Sequence, residues 1–171
     1  MPGAVVCLLA LMVVVVESVF LEAFSVQIWA LQSPIMIVAY LSLDREFTVG
    51  AAVLVVLMLP VEWLVAGVDG VYSLGLVAVY LALRLVGPNL QNDWGLVRGG
   101  VAAVAALIHG AVILAVLYLL GHGETPLWST VVTQFFWTAP VVAVGTVVLG
   151  KGFARLDEMM DPRKGRSELE I

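Results

Sequence analysis

Apolar residues in this chain run in long stretches that never settle into the every-second-residue alternation of a half-buried strand, and short polar breaks divide them. The runs predict helices from about Ala4 to Phe24, Val26 to Leu43, Thr48 to Ala66, Val71 to Val86, Gly99 to Leu120 and Ser129 to Leu149. Pro34 is expected to bend or restart the second helix, and Pro60 lies inside the third. Gly67, Asp69 and Gly70 form a turn that should fold helices three and four into an antiparallel hairpin. Each run approaches the roughly 20 apolar residues needed to cross a bilayer, and runs without alternation exclude a transmembrane barrel. The expected fold is an all-α integral membrane protein, a six-transmembrane-helix bundle formed by residues 1–150. Residues 151–171 should be a cytoplasmic tail, in which Phe153, Leu156 and Met160 recur at helical spacing beside Lys151 and Arg155. That spacing predicts a short helix at the membrane surface, stopped by Asp161-Pro162 and followed by disorder.

Charge gives the spans a direction. The eight basic residues are Arg45 between helices two and three, Arg84 and Arg98 around the connection between four and five, and Lys151, Arg155, Arg163, Lys164 and Arg166 after helix six. All fall on one side of a six-span drawing. The connections around Ser25, around Asp69 and from Gly121 to Trp128 contain none, so the positive-inside rule puts both termini in the cytoplasm. Trp29, Trp63, Trp94 and Trp128 lie near predicted span ends, where indole rings favour the interface.

Composition narrows the functional classes. Of 171 residues, 62% are hydrophobic and 12% charged, too apolar for a water-soluble fold and with no room for a soluble catalytic domain between six spans. A net charge of −5 argues against nucleic acid as a partner, since phosphate backbones demand a basic face. The single cysteine, Cys7, allows no intrachain disulfide and reads as a small buried hydrophobe. The N-terminus lacks a basic residue and leads into a run longer than a signal-peptide core, so the first helix is expected to be retained.

The candidate chemistry is sparse. Glu17 stands well inside helix one, where an ionised group costs roughly 2.5–3.5 kcal/mol against the favourable insertion of the surrounding apolar side chains. It is a candidate for partner contact or function, with an internally satisfied structural carboxyl as the other reading. Glu62 near the outer end of helix three and Gln134 in the outer half of helix six share that depth with Glu22, Gln27 and Gln32. Either these residues line an outward-facing polar cavity, or each makes an interhelical hydrogen bond. His109, near the middle of helix five, has no ligand partners at metal spacing, so a packing histidine is expected and no metal or cofactor is implied. Gly99, Ala102, Ala106 and Gly110 form a small-residue stripe suited to close helix packing, within the bundle or with a partner helix. No phosphate loop, zinc-protease motif or nucleophile elbow is present, and Ser42 and Thr138 are isolated hydroxyls, so enzymatic activity is not expected.

From Glu17 to Arg84 the chain resembles the rod shape-determining MreD family. The likeness lies in the acid late in helix one, Ser33-Pro34 opening a run that ends in Leu43-Asp44-Arg45, the acidic Glu62 closing helix three, and Gly67, Gly70 and Gly75 before Leu83-Arg84-Leu85. The family commonly has aspartate at the position of Glu62 and a more glycine-rich third helix. The resemblance implies a noncatalytic scaffold in the bacterial cytoplasmic membrane. Such a scaffold associates with MreC and, through it, with actin-like MreB and the cell-wall synthases that elongate a rod-shaped cell. The family's fold also resembles the substrate-binding subunits of energy-coupling-factor vitamin transporters, which sets the alternative expectation of a small-molecule-binding transport subunit. Those subunits often carry Ala-x-x-x-Ala in helix one, whereas the alanines here are Ala4, Ala10 and Ala23.

Overall fold

The structure, a computed structural model, describes residues 3–23, 32–64, 70–87, 95–121 and 126–160. These residues form six helices: α1 (Gly3–Ala23), α2 (Ser33–Asp44), α3 (Phe47–Leu64), α4 (Val71–Val86), α5 (Gly95–Leu119) and α6 (Pro126–Met160). Among the described residues, three stretches are long and apolar enough to cross a membrane, namely Gly3–Ala23, Phe47–Leu64 and Val97–Leu119. The helices α2 and α4, with 12 and 16 residues, fall short of that length.

The short α2 is the centre of the fold. Its sequence is apolar on every side, and every residue from Ser33 to Ser42 is buried, packed against α4, α6, α5, α3 and α1. Around it, α5 packs between α4 and α6, while α1 lies on α3 and α2. The helix α1 buries a single stripe of Val6, Ala10, Val14 and Ser18 and turns Leu8, Met12, Val16 and Phe20 outward. The small-residue stripe of α5 is used inside the bundle: Ala102 and Ala106 are buried, and the α carbon of Gly99 sits close to the backbone of Ala143 on α6. A Cβ at Gly99 would lie 3.3 Å from the Ala143 carbonyl oxygen, so glycine permits this approach.

One local expectation takes a definite form and another changes. Pro34 marks a helix start, the restart expected there: α2 begins at Ser33 and the proline occupies its first turn, where its missing N–H has no intrahelical partner to lose. Residues 26–31 of the expected second helix lie outside the described residues. The helix α6 does not stop near Gly150 but continues unbroken to Met160. Nor does Phe153 face a membrane surface: it is buried, its ring stacked on Tyr40 of α2 at 4.7 Å between centroids. Burial of this ring offsets the low helix propensity of Gly150 and Gly152 and holds the last turns to the bundle. The segment from 161 to 171 lies outside the described residues.

Basic side chains gather at the end of the bundle where α2 meets α3. The Arg45 guanidinium donates to the Tyr40 hydroxyl at 2.7 Å, and Arg84 donates to the Arg45 carbonyl while lying over the rings of Phe47 and Tyr80. The Tyr80 hydroxyl donates to the Phe47 carbonyl at 2.8 Å, and Arg98 at the start of α5 pairs with Asp44 at 2.9 Å. Arginine and tyrosine side chains from α4 and α5 thus tie the connection between α2 and α3 to the rest of the bundle.

Candidate functional site

Where α2 and α4 begin, the polar residues of the bundle meet. A helix leaves its first N–H groups without intrahelical partners, and neither α2 nor α4 supplies a capping side chain from its own N-cap residue, Gln32 or Gly70. Carboxylates from neighbouring helices supply it instead. The two oxygens of Glu17 on α1 accept the N–H groups of Gln32 at 2.9 Å and Ser33 at 2.8 Å. In the same way Glu62 on α3 accepts the N–H of Gly70 at 2.9 Å and of Ser73 at 2.8 Å. Each acid also brings negative charge to the positive end of a helix dipole.

Both acids stand at one depth. Along α1, Glu17 is about 21 Å from Gly3, and along α3, Glu62 is about 22 Å from Phe47, at roughly 1.5 Å per residue. Tyr72, one residue before Ser73, is buried on α4 and its phenol feels the charge of both carboxylates. From α5, His109 meets Tyr72 edge-on at 4.6 Å between ring centroids, with Nε2 3.3 Å from the Tyr72 carbonyl oxygen. The imidazole covers Gly75, one turn further along α4, and no other residue type leaves room for it. The polar layer is thus built of Glu17 with Ser33 at the start of α2, and of Glu62 with Ser73, and Tyr72 with His109, at the start of α4.

Of the four polar candidates, three enter this layer: Glu17, Glu62 and His109. Gln134 has a side chain outside the described residues. Glu22 is exposed at the end of α1, and Gln32 contributes its backbone N–H. The carboxylates are turned onto helix ends rather than outward into a polar cavity. The open grooves beside the layer are apolar: one of about 480 Å³ lies between α1, α2 and α6, with Glu17 and Ser33 its only hydrophilic side chains. Another, of about 410 Å³, lies between α1 and α3 and is lined by Cys7, Val49 and Val53. Among the described residues no three histidine, cysteine or acidic side chains come together as a metal site. Sequence reasoning missed Tyr72, since a tyrosine in an apolar run carries no signal until its neighbours are known, and it named Gly75 for the family likeness without its contact to His109.

The geometry can hold helix ends in apolar surroundings and present shaped hydrophobic surfaces. The chain matches no family model, and no curated protein and no solved structure is significantly similar to it.

Proposed function

We propose that this chain is a multi-pass membrane scaffold of the bacterial cell-elongation machinery, seated in the cytoplasmic membrane with both termini inside. In this reading it binds an MreC-like protein and, through it, the actin-like MreB and the cell-wall synthases. The observation that carries the reading is the pair of internal caps. Glu17 and Glu62, the two acids of the MreD-like pattern, are engaged with α2 and α4, which gives both an architectural role in the bundle.

Three further features support a six-span membrane bundle. Large apolar side chains point outward along α1, α3 and α6, including Val16, Phe20, Leu59, Val144 and Val148, and such a surface suits lipid rather than water. The short helices α2 and α4 begin below the level that a full span reaches, and carboxylates replace the water that would otherwise meet their N–H groups. Arg45, Arg84 and Arg98 cluster at one end, as the positive-inside rule requires of a cytoplasmic face.

Cysteine labelling in intact cells tests the topology: positions 45, 98 and 171 should be protected from an impermeant reagent, and positions 69 and 123 should react. Labelling of position 171 from outside would overturn the six-span arrangement. For function, depletion of the protein should round the cells, and a tagged chain should copurify with an MreC-like protein. Normal cell shape with lost vitamin uptake would instead favour a transport subunit.

A further inference from the structure

We propose that the groove between α1 and α6 seats one transmembrane helix of a different protein, which presents a hydrogen-bond donor to Glu17. The inference rests on the membrane-scaffold reading and deepens it by naming the docking surface.

On the α1 wall, Leu9, Val13, Val16 and Phe20 follow one another at intervals of four, three and four, and all line the groove. That is the spacing with which one helix accepts the knobs of another, and among the described residues no helix of this chain occupies it. The opposite wall carries Gly145, without a side chain, and Val148, strongly exposed. The floor is the buried face of α2. A groove floored by one helix and walled by two others has the form of a third-helix seat.

Glu17 gives the seat its chemistry. Its side chain is half-buried and lines the groove, and its oxygens each accept one backbone N–H, leaving capacity for a further donor. A carboxylate at an apolar wall selects a partner with a donor at the same depth, such as serine, asparagine or lysine. A symmetric pair of copies meeting through this groove would bring Glu17 against Glu17, and like charges at close range oppose that arrangement. Hydrocarbon chains of lipid fill the volume but bring no donor to this depth.

The test uses the full chain in its own membrane. Photoreactive benzoylphenylalanine replaces Val13 or Val16, which face the groove, and separately Val15 or Val19, which are exposed on α1 outside it. The groove positions should give a single protein adduct, several-fold stronger than the outside positions, mapping to a transmembrane segment that contains a donor side chain. Val148→Trp, on the exposed wall and away from the cap, should diminish the adduct several-fold without lowering membrane abundance. Alanine in place of the partner's donor should do the same. Equal adducts at all positions, adducts to lipid alone, or adducts to another copy of this chain would each overturn the groove as a partner seat. An MreC-like protein that copurifies but crosslinks only outside the groove rejects this inference and leaves the scaffold reading standing. A donor-bearing helix from an unrelated protein at Val13 and Val16 upholds the groove and rejects the proposed partner.

Discussion

Replacing Glu17 by glutamine should destabilise the protein by about 2–4 kcal/mol, nearly as much as replacing it by alanine. The substitution looks conservative, but both carboxylate oxygens accept backbone N–H groups, from Gln32 and Ser33. A glutamine amide has one acceptor oxygen. Its NH2 group would face a backbone donor, so one N–H at the start of α2 loses its partner in apolar surroundings and the charge at the helix end is lost as well. Glu62→Gln should follow the same logic at α4, with a smaller effect because the bond to Gly70 is exposed. Unfolding midpoints in mixed micelles, by a titration with denaturing detergent, measure both. If Glu17→Gln stays within about 0.5 kcal/mol of the parent, the range of an ordinary surface change, the cap is not holding α2.

Gly75→Ala should cost about 1–3 kcal/mol, the range for overfilling a packed site. The added Cβ would lie 2.6 Å from Cδ2 and 2.9 Å from Nε2 of His109. The ring has little room to retreat, since it is buried and held edge-on to Tyr72. Relief should therefore come from removing the obstacle. In a double-mutant cycle, Gly75→Ala combined with His109→Ala should be less destabilised than the sum of the two single changes. Strict additivity would show that the ring moves aside freely and that the approach of α4 to α5 does not depend on glycine.

These two sites also mark how far the sequence could be read. The bounds of α4 were visible because Gly70 adopts φ +82 immediately before it and Arg84 closes it, both local features. Ser33-Pro34 likewise announced a helix start, although the longer run upstream pointed to an earlier one. The helical character of residues 153–160 could be read from spacing, but not their continuity with α6, which depends on Phe153 reaching Tyr40 across the bundle. Glu17 stood out as an acid in an apolar run. What it holds did not, because its partners lie 15 and 16 residues away and are backbone groups, identical in every residue but proline. Of the two readings left open for the polar residues, Glu17 and Glu62 follow the interhelical hydrogen bond, a choice the sequence could not make because depth follows from helix position whereas the rotation of a side chain about its helix follows from packing.

The caps also set an order of events during synthesis. In both hairpins the acid belongs to the helix made first, Glu17 ahead of α2 and Glu62 ahead of α4. When each short helix follows its predecessor in synthesis, the acceptor for its leading N–H groups is already in place. Each hairpin can thus seal its own polar end as soon as its second helix arrives, before the later helices α5 and α6 exist. A nascent chain carrying only α1 to α4 therefore already holds both caps, while α1 on α3 and α2 on α4 join the two hairpins before α5 brings His109 to Tyr72.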